Sequence, residues 1–195
     1  RETGARILAH RGDNGMTLIT DGYKELNRQL HETRADYGIV GQRYADTISE
    51  VILKFRMESM VDYGCGKQTL ARELAHILGH NVINIQNYDP CIPGLDTPPT
   101  PADLVACTDV LEHIEPDCLS EVMSDIKRLA TKAVFLPIAT RPAKKFLPDG
   151  RNAHLIQEPM YWWLPEIMLR WKMILVQGNE QEFLVLGTPK SGNGE

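Results

Sequence analysis

The chain has 195 residues, of which 43% are hydrophobic and 24% charged, and its formal net charge is -5. That length fits one domain, or one domain with a small appendage, around a single core. The acidic balance excludes binding to nucleic acid through overall charge and leaves only a local basic patch for that role. No apolar run is long enough to span a membrane, and no N-terminal segment reads as a signal peptide, so a cytoplasmic protein with no membrane partner is expected. The four cysteines, at 65, 91, 107 and 118, form no C-x-x-C pair and no zinc spacing. They read as reduced structural thiols, and no metal site is expected.

Residues 1–20 show no period and are expected to be irregular. In 22–33, Tyr23, Leu26 and Leu30 share one helical face. Tyr44, Ile48, Val51, Ile52 and Phe55 make 42–55 an amphipathic helix. From residue 58 strands and helices alternate. "SMVDY" is a short strand ending at Gly64. Leu70, Leu74, Ile77 and Leu78 form a helical stripe closed by Gly79. "NVINIQNYD" is a second strand. Residues 90–101 contain five prolines and read as a stiff loop. "ADLVACTDV" is a strand, and Leu119, Val122, Met123, Ile126 and Leu129 mark the following helix. "AVFLPIAT" is another strand, with Pro137 awkwardly inside it. A helix near 159–171 precedes "KMILVQ" and "EFLVLGT", joined by "GNEQ" as a hairpin.

This order predicts an α/β protein with an open, mostly parallel sheet, an antiparallel C-terminal hairpin strand and helices on both faces. The expected division is an N-terminal helical appendage over 1–56, a core domain over 57–188 and a flexible tail over 189–195. Ligands of such sheets bind at the C-terminal strand ends, which here are Asp62–Gln68, Tyr88–Pro90, Thr108–His113 and Thr140–His154.

The turn "VDYGCGKQ" fits no phosphate loop. With Gly66-Lys67 placed on its Gly-Lys, the first glycine falls on Val61 and the hydroxyl residue on Gln68. A dinucleotide fingerprint fails at its third glycine, which is Thr69. The better match is an apolar strand, an acidic residue and G-x-G-x-G, with only the last glycine replaced, by Gln68. Asp89 follows Gly66 by about 23 residues and can accept ribose hydroxyls. "ADLVACTDVLEHIEP" carries D-h-V-x-x-x-x-V-L-E-H through Asp103, Val105, Val110, Leu111, Glu112 and His113.

Together these segments resemble the class I, Rossmann-like S-adenosylmethionine-dependent methyltransferases, nearest to their small-molecule and ubiquinone-biosynthesis group, over about residues 55–188. The resemblance implies a Rossmann-like core and S-adenosyl-L-methionine as cofactor, held by Asp62, Tyr63, Gly64, Cys65, Gly66, Asp89, Pro90, Thr108, Asp109 and Val110. The backbone at Gly64 and Gly66 is expected to touch it. Candidates for a general base are His113 first, then Glu112 and His154. Two departures stand out. Gln68 replaces a glycine, and the span from Asp89 to Asp103 is too short for the family's usual helix and third strand, so that strand is expected to be reduced or absent; Asp96 is the candidate to read adenine.

Arg141, Lys144, Lys145 and Arg151 concentrate positive charge in an acidic protein, which points to an anionic small-molecule or nucleotide-like acceptor. No [DNS]-P-P-[YFW] follows the fourth strand, and Pro90-Cys91 follows the second, so methylation of a nucleic-acid base is not favoured. The N-terminal helix and "DYGIVGQRY" are expected to form a lid, with Gly38 and Gly41 as hinges. The alternative is a non-catalytic cofactor- or partner-binding module on the same fold.

Overall fold

A computed structural model describes residues 9–11, 17–79 and 83–190. The N-terminal segment is less irregular than its sequence suggests. Strand β1 (Ala9–Arg11) pairs antiparallel with β2 (Thr17–Thr20). Strands this short carry too few residues to show a period. Helix α1 (Asp21–Thr33) is started by the Thr20 hydroxyl, which accepts from the Tyr23 N–H, the standard repair of an orphan helix-end donor. A 3-10 turn (Val40–Tyr44) leads into α2 (Ala45–Phe55).

The main sheet holds β3 (Ser59–Tyr63), β4 (Asn84–Tyr88), β5 (Ala102–Ala106), β6 (Ala130–Ala139), β7 (Trp171–Gly178) and β8 (Glu182–Pro189). Their spatial order is β4-β3-β5-β6-β8-β7, and β8 runs antiparallel to both neighbours. Between them lie α3 (Thr69–Leu78), α4 (Leu119–Leu129) and α5 (Met160–Arg170). The strand alternation buries both faces. Val61, Val105 and Val134 pack with α4 and α5, while Met60, Leu104 and Phe135 pack with α2 and α3. The boundary expected at 56/57 therefore falls between two elements of one core, since Ile48 and Ile52 of α2 share a cluster with Met60. Residues 191–195 of the expected tail lie outside the described residues, and Pro189 still belongs to β8.

Pro137 sits in a central strand at no cost to the ladder. Its carbonyl accepts from the Asp109 N–H at 3.4 Å, so its nitrogen also faces the β5 side. There β5 has already ended at Ala106, and no rung is lost. The "ADLVACTDV" strand is shorter than expected because Asp109 turns out of it with φ 59°, a conformation aspartate tolerates.

Among the described residues no strand lies outside β4, and the proline loop takes the place of the third strand. It is fastened to β4 through one side chain. The Gln86 amide oxygen accepts from Thr100 N at 2.9 Å and its nitrogen donates to Thr100 O at 3.1 Å. No described helix is long and apolar enough to cross a membrane.

The missing third glycine of the turn is missing only as a residue. Gln68 has φ 56° and ψ 31°, the left-handed geometry that glycine adopts without penalty. Gln68→Gly is expected to stabilise the protein by up to ~1 kcal/mol, read as a rise of a few degrees in Tm. An unchanged or lower Tm would show that the glutamine side chain repays the backbone cost.

Candidate functional site

The C-terminal ends of β3, β4, β5 and β6 open into one cavity of about 320 Å³, within the size range of small-molecule sites. Its lining includes fifteen of the seventeen residues anticipated from the sequence. Asp62, Tyr63, Gly64, Cys65, Gly66, Asp89, Pro90, Thr108, Asp109 and Val110 all line it, as do His113, His154, Arg141, Lys144 and Lys145. Glu112 and Arg151 do not.

The turn after β3 is built by close approach. The N–H groups of Gly64 and Cys65 both donate to Tyr88 O, at 2.7 and 3.0 Å. A Cβ on Gly64 would run into the Val110 side chain. One on Gly66 would meet Gly38 O at 2.6 Å and Gly38 Cα at 2.7 Å. Gly66 is thus a glycine because another stretch of this chain lies against it. Gly38 and Gly41 likewise pack tightly, against His31 and Gly66 and against Leu70 and Thr108, so close approach by itself accounts for both glycines.

Two carboxylates form the floor. Asp62 is buried, its Oδ2 has no hydrogen-bond partner, and burial, with Asp89 nearby, pushes its pKa up to about 7. Asp89 is differently placed. Its Oδ2 accepts from Gly66 N at 3.1 Å and its Oδ1 from Cys91 N at 2.9 Å. Burial raises it, and the His31 imidazole, 3.9 Å away, offsets part of that rise.

The roof comes from α1 and residues 34–43, and here sequence reasoning missed Tyr23, Asn27, His31, Tyr37 and Arg43 as lining residues. A signal existed: Tyr23, Asn27 and His31 recur at i, i+4 and i+8, which puts polar groups on the apolar face of α1. The roof is tied down on all sides. Thr20 donates twice to Glu115, from N at 2.9 Å and from Oγ1 at 2.8 Å, and the Tyr23 hydroxyl donates to His113 O. Lys67 N donates to Gly38 O at 2.8 Å, Lys67 Nζ to Arg34 O at 2.6 Å, and Thr69 Oγ1 to Ile39 O at 3.0 Å. Lys145 Nζ donates to Asp36 O at 2.6 Å.

At the far wall, rings run in edge contact from His31 to Tyr37, His113 and His154, with centroids 4.6, 5.9 and 4.7 Å apart. His113 Nδ1 is buried without a partner, and burial lowers this imidazole to about 4. The His154 ring is set by its Nδ1, 2.7 Å from Arg141 O. Glu112, expected as a catalytic candidate, is instead fully buried behind this wall, with Oε1 accepting from Ala139 N at 2.7 Å.

The basic loop is largely neutralised. Arg151 pairs with Asp149 at 2.8 Å and lies over the Tyr23 ring outside the cavity, which corrects its assignment to the substrate site. Lys145 is 3.5 Å from Asp36, and Arg141 shares Glu182 with Arg43. Two further residues are structural. Asp103 holds Glu58 N and Lys132 at the opposite sheet end, and Asp96 pairs with Lys24 outside the cavity lining.

No protein-family model matches the chain, and no curated protein sequence does. Solved structures do match. The 1,6-didemethyltoxoflavin-N1-methyltransferase of Burkholderia thailandensis, with 1,6-didemethyltoxoflavin and S-adenosylhomocysteine bound, superposes with a TM-score of 0.62 at 12% identity, over 87% of this chain and 90% of that one. An O-methyltransferase family protein of the same organism gives 0.59 at 15% identity over 79% of this chain, which spans only 57% of that protein's length. Magnesium protoporphyrin IX methyltransferase from Synechocystis PCC 6803, with SAH bound, gives 0.50 at 13% identity, covering 87% and 94%. The chain therefore has the Rossmann-like fold of the class I methyltransferases, as the resemblance of its motifs had implied.

Proposed function

We propose that the protein is an S-adenosylmethionine-dependent methyltransferase acting on a small-molecule acceptor with an anionic portion. Asp62 carries this reading. A buried carboxylate oxygen without a partner, facing a cavity beneath a glycine turn, suits a cationic group such as the ammonium of a bound amino acid. Asp89, at the end of β4, retains acceptor capacity for ribose hydroxyls beyond its two backbone donors. S-adenosylmethionine, when bound, supplies an electrophilic methyl group. The chain's residues would orient the two reactants and exclude water, and the tied roof over the cavity suits both tasks. In this reading α1 and 34–43 are the lid, and Arg141 and Lys144 at the cavity wall attract the anionic portion.

Melting with added ligand tests the reading. S-adenosylmethionine or its demethylated product at ~100 times its Kd should add about 2.7 kcal/mol, several degrees in Tm, while ATP adds nothing. Equal shifts with ATP, or none with any of the three, would sink it. His113, which lines the cavity with Nδ1 unpartnered, is the base of this reading. His113→Ala is expected to lower turnover about 100-fold or more with cofactor affinity unchanged; full turnover would remove it from the reaction.

A further inference from the structure

The geometry points to a divalent transition-metal site set into the cavity wall, with Asp109 and His154 at its surface and Glu112 behind them. One ligand atom from each lies within 4.8 Å of the others. Ligands on opposite sides of an ion bound at about 2.0–2.4 Å span such distances. The spacing was invisible in the sequence because the cluster joins two segments. A 3-10 turn over Leu111–His113 folds Glu112 back towards Asp109. His154 arrives on a loop pinned by Asn152, whose Oδ1 accepts from Ala143 N at 2.9 Å and His154 N at 3.0 Å.

Glu112 and His154 are each prepared for a cation by something outside the cluster. Glu112 is completely buried, and while Oε1 takes the Ala139 N–H, Oε2 has no hydrogen-bond partner. Leaving a carboxylate oxygen in that state is costly unless a cation or proton meets it. His154 Nδ1 lies 2.7 Å from Arg141 O, so it donates there and Nε2 keeps its lone pair. A backbone carbonyl behind an imidazole is the usual support of a metal-binding histidine. Asp109 is held with φ 59° and lines the cavity. Two carboxylates and one imidazole suit Mn²⁺, Fe²⁺, Co²⁺ or Zn²⁺ better than Mg²⁺. Three protein ligands leave positions open towards the cavity, where an oxygen-bearing group of the occupant could bind. That last role rests on the methyltransferase reading; the metal site itself does not.

The competing arrangement is a proton shared between Glu112 and Asp109. Calorimetry and Mn²⁺ electron paramagnetic resonance on the chelator-stripped full chain separate the two. The expected result is one Mn²⁺ per chain and a Tm rise of several degrees. Asp109→Asn and His154→Ala, each with an unchanged circular dichroism spectrum, should weaken binding at least tenfold. Asp109 is half-exposed, so its variant should fold even if the other does not. Failure of the wild type to bind Mn²⁺, Co²⁺ or Zn²⁺ at millimolar concentration would overturn the proposal, as would binding that survives both substitutions. Melting with S-adenosylhomocysteine in the absence of metal reports separately on the cofactor reading.

Discussion

Asp62→Asn is expected to make the unliganded protein more stable at pH 7.5 while costing it at least tenfold in cofactor affinity. The wild-type carboxyl has a folded pKa of about 7, set by burial and Asp89, against an ordinary value near 3.9. Below about pH 4 it is protonated in both states and contributes no difference. Between about 4 and 7 the folded state holds a proton that the unfolded state has released, so stability falls as pH rises. Above 7 the full penalty applies, on the order of 4 kcal/mol as an upper bound. The amide removes the charge but keeps a polar group without a partner, so a net gain of about 1–3 kcal/mol is expected. The pH dependence of Tm between 4 and 7 should flatten. Under the proposed function, the variant loses the charge that would face the cofactor's ammonium, which lowers affinity. A variant that is less stable at pH 7.5 with the wild-type pH slope would show that Asp62 is ionised and already satisfied within the protein.

Gly66→Ala should cost about 3 kcal/mol, most of it through the roof. The new methyl group would meet Gly38 O and Cα at 2.6 and 2.7 Å, both rigid backbone atoms, at a residue with φ 50°. Overpacking and left-handed strain each contribute 1–3 kcal/mol. The roof cannot yield locally, because Lys67 N and Thr69 Oγ1 hold Gly38 O and Ile39 O on either side. Amide exchange should therefore rise over residues 34–41 before it rises in the sheet. A Tm within a degree of wild type would show that the two backbones do not touch in solution.

These two positions show what the sequence could and could not disclose. The fold was legible because strand and helix periods are local, and the five prolines after β4 announced the missing strand. Asp62 and Asp89 were legible because they end strands at the sheet's carboxyl edge. The glycine at 66 was legible, but its cause was not. A tight ligand and a tight neighbouring chain demand the same residue, and only tertiary structure shows that Gly38 is the neighbour. Glu112 and Arg151 were misplaced for a related reason. Charge and proximity in sequence put them near the cavity, but a 3-10 turn buries the first and Asp149 draws the second aside.

The clip between Gln86 and Thr100 has a bearing on how these molecules meet one another. A sheet can grow by adding a strand from another molecule wherever an edge leaves its backbone groups free. Beside β4 the proline loop is fastened by a side chain that imitates a strand's paired donor and acceptor, but it adds no rung of its own, and proline itself has no N–H to offer. At the opposite edge, β7 carries exposed Ile174, Leu175 and Val176. Of the main sheet's two edges, β7 is the one that offers an incoming strand exposed apolar side chains.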